Sequence, residues 1–227
     1  ADNGREEHVW SDLQSAKDIM RRAMPNGLTP LTSHIHAIRE EIKAMEPQLV
    51  RDGQKAAVIL ATDGLPTGDS GREEASEQFV RALRSLEGLP VWIVIRLCTD
   101  EDDIIEYYDG LDQQLELSLD LLDDHCGEAK EVHEFNPWLN YALPIHRIRE
   151  LGFHDRVFDL IDERALTKSE IRRFCLILFG ESKFDGVPDP SVDWPGFLND
   201  VERMIQEETL VWDPLKKLPL PWIDTKK

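Results

Sequence analysis

The sequence predicts an α/β protein, a partial parallel sheet with flanking helices followed by an all-helical C-terminal region. Two observations carry this. Lys55–Ala61 and Pro90–Leu97 are short, continuous apolar runs of the kind that form strands buried on both faces. Between them, Ala75, Phe79, Leu83 and Leu86 recur at helical spacing from about Arg72. Strand, helix, strand with short loops is a βαβ unit, so the strands run parallel with a right-handed crossover.

The elements follow in order. Trp10, Leu13, Ala16, Ile19, Met20 and Ala23 make an amphipathic helix that Pro25-Asn26-Gly27 stops. A second helix opens after Leu28–Thr32, capped by Thr32 or Ser33, with Ile35, Ile38 and Ile42 inward to about Met45. Between Leu97 and Ala129 there are twelve Asp and Glu and no Lys or Arg. Ile104, Ile105, Tyr108, Leu111, Leu115, Leu119 and Leu122 keep a helical stripe through this stretch. Its acids therefore read as the solvated side of one or two helices. Glu131–Phe135 is expected as a short edge strand, and Asn136-Pro137-Trp138 turns the chain into helices near 142–151, 154–163, 168–179 and 194–207. Thr167-Lys-Ser-Glu170 is a capping box for the third of these. Prolines 214, 219 and 221 with Trp212 and Trp222 read as an extended strap anchored by its two indoles. The resulting division is 1–135 for the α/β region, 136–209 for a helical appendage and 210–227 for the tail.

Composition narrows the functions. The 227 residues carry 26 Lys and Arg against 45 Asp and Glu, a net charge of −19. Nucleic-acid binding needs basic residues to displace counterions, and docking on an anionic membrane needs the same sign. The balance suits a cationic partner or a divalent metal. No apolar run is long enough to span a bilayer, so no membrane insertion is expected. Cys98, Cys126 and Cys175 form no C-x-x-C, so neither a disulfide framework nor a zinc knuckle is indicated. Cys98 reads as a small buried hydrophobe. His34 and His36, two apart on a helix, are poor co-ligands. A cytoplasmic location is the expectation.

The chemistry-bearing stretch is the apolar strand ending in Ala61-Thr62-Asp63-Gly64. A carboxylate at the C-terminal end of a parallel strand lies where open α/β sheets place ligands. Thr29 is a hydroxyl that can converge on the same spot, and an Asp with a hydroxyl suits Mg²⁺ or Ca²⁺. Read plainly, Asp63 is also a strand-ending turn residue, and Thr29 is held extended by Pro30.

Gly27-Leu28-Thr29-Pro30-Leu31, followed by Val58–Gly64, resembles the second half of a von Willebrand factor type A (vWA) domain, a Rossmann-like fold, over about residues 10–135. The resemblance implies a metal-ion-dependent adhesion site in which Thr29 is the second-loop ligand and Asp63 the third-loop ligand. A protein partner would complete the coordination with a carboxylate. It also implies an Asp-x-Ser-x-Ser loop and further strands upstream of Thr29, which this sequence lacks. The nearest string, Asp189-Pro-Ser191-Val-Asp193, lies far downstream. The expectation is accordingly the C-terminal half of a larger domain, with a bare sheet face and a metal site completed from outside the chain. Two ligands alone cannot hold a cation that takes about six oxygens.

Phe184–Phe197 resembles a degenerate EF-hand loop, with Asp185 first, Asp189 fifth and Val192 the apolar eighth. Val187 removes a ligand, Pro190 replaces the turn glycine, and Gly196 stands where the bidentate Glu belongs. The implied function is a non-enzymatic protein–protein interaction module. One alternative is a structural subunit with a vestigial metal site. Another is a metal-dependent phosphohydrolase using Asp63, which would need a second Asp where Leu65 stands.

Overall fold

The computed structural model describes residues 9–22, 29–68, 71–112 and 114–227. The Pro25–Gly27 stop and the Gly27-Leu28 opening of the vWA-like motif lie outside them. So do Ala23 and the side chains of Trp10, Leu13, Ala16 and Met20. Helix α1 (Val9–Arg22) precedes α2 (Leu31–Asp52), which continues past Met45 and through Pro47 to a left-handed Gly53. Its first turn has no side-chain cap, because the Ser33 hydroxyl donates to the Pro30 carbonyl instead.

Strand β1 (Ala56–Thr62), α3 (Arg72–Arg84) and β2 (Val91–Leu97) form the expected parallel unit, with Ala56 opposite Val91 and Thr62 opposite Leu97. Helix α4 (Asp102–Asp112) then leads to a third parallel strand, β3 (Leu119–Leu122), giving the order β1-β2-β3. The acidic stretch is therefore one helix and a short strand rather than helix throughout. Leu111, Leu115 and Leu119 continue a helical stripe on paper, but the free edge of β2 takes up Leu119–Leu122 against Ile93–Arg96. Residues 131–135 are likewise not a strand. They finish helix α5 (His125–Phe135), whose first turn is held by the Asp124 carboxylate accepting from the amides of Cys126 and Gly127.

Position in the sheet decides burial. Central β2 is buried on both faces, whereas β1 is an edge strand whose alternate residues Ala57, Ile59 and Ala61 face solvent, Ile59 at 45% exposure. The N–H of Ala56 and the carbonyl of Thr62 bond toward β2. By alternation, the backbone groups of Ala57, Ile59 and Ala61 point to an edge that no described strand covers.

Val91, Ile93, Ile95 and Leu97 pack against Ile35 and Ile42 of α2, Phe79 and Leu83 of α3 and Tyr108 of α4. The opposite face of β2, carrying Trp92 and Val94, is not bare. Helix α6 (Leu143–Glu150) and the loop after it close over it, with Trp92 stacked on His154 at 3.4 Å between ring centres. Gly152, at φ 78°, lets that loop approach, since a Cβ there would stand 2.9 Å from that of Ala57.

The remaining helices are α7 (Arg156–Leu160), α8 (Lys168–Phe179) and α9 (Trp194–Glu207), and the predicted capping box at Thr167 and Glu170 is formed. The tail is not an extended strap. It folds as a hairpin of β4 (Val211–Asp213) and β5 (Leu218–Leu220), after which Ile223 bridges to Leu139. Of its two indoles, Trp222 packs against the same buried clusters as Trp138, while Trp212 is 54% exposed. No described helix is long and apolar enough to cross a membrane.

Candidate functional site

The rim at the C-terminal end of β1 is built by local hydrogen bonds. The Thr62 hydroxyl and the buried Tyr108 hydroxyl both donate to the Gly64 carbonyl, each at 2.9 Å. Burial pushes the Tyr108 phenol up to about 12, so it remains a neutral donor. The residues on either side of Asp63 are thus pinned, and its carboxylate is held out to solvent with no hydrogen bond or ion pair among the described residues.

Thr29 is joined to the same loop. Its N–H donates to the Thr67 hydroxyl, and the Thr67 N–H donates to the Thr29 carbonyl at 3.2 Å. The Thr29 hydroxyl itself has no described partner. Thr29 lines a cleft of about 550 Å³ with residues 64–68, Arg72, Glu101 and Asp103. The two predicted ligand loops are therefore stitched together, but Asp63 does not line the cleft that Thr29 lines.

A second polar centre escaped sequence reasoning. Arg149 of α6 is 2% exposed and links four other segments. One terminal nitrogen donates to Glu128 of α5 at 2.9 Å and to the Tyr141 hydroxyl at 3.1 Å. The other donates to Asp120 of β3 at 3.1 Å and to Asp162, beyond α7, at 2.8 Å. The available signal was a charged residue four after Ile145, on the apolar stripe of a helix. Oxygens of Glu128, Glu131 and Asp162 lie within 4.8 Å of one another, close enough for a metal. The guanidinium already donates to two of these carboxyl groups, Glu128 and Asp162, so the cluster reads as structural.

Burial of this centre shifts its acids. It pushes Glu128 up to about 8 against the pull of Arg149, and burial and then the Asp120 charge push Asp159 up to about 7. Each folded value lies above its unfolded one near 4. The folded state therefore binds the extra protons, and this contribution to stability is lost as pH rises toward the folded values. Buried His146 is shifted down and works the other way, losing stability as pH falls below about 6.5. The melting temperature should accordingly fall between about pH 6.5 and about pH 8, where the carboxyls act unopposed by His146. Scanning calorimetry across that range checks this, and a flat or rising profile contradicts the assignment.

Other sequence candidates resolve as structure. In the EF-hand-like loop, Asp189 accepts from the Ser191 amide at 2.7 Å and Asp193 caps α9 through the Gly196 amide at 2.9 Å, while Val192 is exposed. Cys98 is exposed rather than buried, because β2 ends one residue before it. His34 and His36 are both exposed on α2. No family model, curated protein or solved structure matches the chain.

Proposed function

We propose that this chain is a non-enzymatic protein-interaction module of the vWA type, acting through the rim at the end of β1. Asp63 and Thr29 would each give one oxygen to a Mg²⁺ or Ca²⁺ ion, with the remaining ligands coming from outside the chain and from a carboxylate of the protein partner. The observation that carries this reading is Asp63 itself, a carboxylate anchored on both sides and exposed, without a partner among the described residues and next to a sheet edge that no described strand covers. The donor set fits in kind, since oxygen ligands suit these cations, and falls short in number. The open edge of β1 supports a strand being supplied from elsewhere. The net charge of −19 favours a protein partner over nucleic acid.

One observation favours a second reading, a structural subunit with a vestigial site: Thr29 and Asp63 do not line one cleft. Titration calorimetry with Mn²⁺ on the full-length protein and its Asp63→Ala variant separates the two. The module predicts saturable binding that Asp63→Ala weakens at least tenfold. Absence of binding by both proteins would refute it and leave the scaffold.

A further inference from the structure

A cavity of about 440 Å³, separate from the β1 rim, lies between the tail hairpin, α9 and the turn after α5. Trp138, Leu139, Ile205, Leu220 and Pro221 contribute apolar walls. Asn140, 8% exposed, and Asp213, 7% exposed, supply its most deeply buried polar groups. The Asn140 amide nitrogen donates to the carbonyls of Val211 and Pro221, both at 3.3 Å. Those two acceptors fix which way the amide faces, and its Oδ1 is left buried with no hydrogen-bond partner among the described residues. The Asp213 Oδ1 accepts from the amides of Leu215 and Lys216, both at 2.8 Å, while its Oδ2 has no partner among the described residues.

Two acceptors without described donors, one of them a charged oxygen that solvent reaches, beside apolar walls suit a ligand with the opposite endowment. It must bring N–H donors and a positive charge on an apolar body. Exposed Lys216 and Lys226 stand around the cavity beside Glu202 and Asp224, so carboxylates outnumber ammonium groups there. The protein's charge of −19 draws cations toward it. The cavity also falls within the size range of small-molecule sites. We propose that it binds an organic ammonium group, carried either by a free small amine or by a lysine side chain of a partner protein.

The test is calorimetric titration of the intact chain, with tryptophan fluorescence, to which Trp138 in the cavity wall contributes, as a second readout, using phenethylammonium, neutral 2-phenylethanol and phenylacetate. The amine should bind saturably with a submillimolar dissociation constant, at least about tenfold tighter than the alcohol, and the anion should not bind. Asp213→Asn keeps the Oδ1 that holds the Leu215 turn but removes the charge. It should weaken the amine at least about tenfold and leave the alcohol unchanged, with the circular dichroism spectrum retained. Ile205→Trp, which narrows the cavity from the α9 side, should weaken both. Tighter binding of N-acetyl-lysine methylamide than of phenethylammonium assigns the site to a partner's lysine, and the reverse order assigns it to a free amine. The proposal is overturned by no saturable amine binding, by equal binding of amine and alcohol, or by a folded Asp213→Asn protein with undiminished amine affinity.

Discussion

Arg149→Leu should lower stability by about 3–5 kcal/mol, because removing one partner from a buried ion-pair network leaves the others uncompensated. For a chain of this length that corresponds to a fall in melting temperature of roughly 10 °C. The guanidinium donates to Asp120, Glu128, Asp162 and Tyr141, which sit on β3, α5, the chain beyond α7 and the turn before α6. Leu fills part of the volume and leaves Asp120 and Asp162 facing each other and the Glu128 carboxyl, which burial already pushes up to about 8. The loss should shrink as pH is lowered, since the stranded carboxyls can then take up protons. Arg149→Lys should recover little of it, because an ammonium cannot present the planar fork that serves both sides of the cluster. Arg149→Leu combined with Glu128→Leu should be milder than the single change if uncompensated charge is the cause. Thermal melts of the single and double variants decide it. A single variant that melts within 2 °C of the parent would mean that Arg149 is not the network's counter-charge.

Asn136→Ala should have a comparable effect, about 3–5 kcal/mol, because it strands several buried polar groups at once. Asn136 is wholly buried, and its side-chain nitrogen donates to the carbonyls of Ile161 and Arg164, both at 2.8 Å. Its oxygen accepts from the Leu166 amide at 3.0 Å and from the Trp138 indole at 3.2 Å. One amide thus ties the end of α5 to the turn between α7 and α8, satisfying two donors and two acceptors. Asn136→Asp should be no better, since a carboxylate oxygen would replace the donor facing two carbonyls. Urea unfolding of both variants measures this. A midpoint shift equivalent to less than about 1 kcal/mol in either would show that the stranded groups find other partners.

These two residues mark where sequence reading stops. Asn136 was legible as part of an Asn-Pro-Trp turn, but not as a staple, since its partners other than Trp138 lie 25 to 30 residues away. Arg149 carried a signal, a charge at a core position of an amphipathic helix, but nothing local says which acids will meet it. At the rim, Asp63 and its turn were legible because a carboxylate ending an apolar strand is a local pattern. That Tyr108 would hold the Gly64 carbonyl was not, because it depends on how α4 packs.

The same division runs through the fold. The βαβ unit, the capping box at Thr167 and the helices of the C-terminal region follow from periodicity, capping chemistry and turn residues, all set by neighbours a few positions apart. Tertiary structure alone decided that Leu119–Leu122 becomes a strand, that residues 131–135 become helix, and that the tail folds back as a hairpin. It also decided that α6 and the Gly152 loop cover the second face over β2 but not over β1, and that β1 is left as an edge among the described strands. In each case a short segment has two local readings of similar merit. The one adopted is chosen by which free edge or apolar face is within reach once the longer elements have packed.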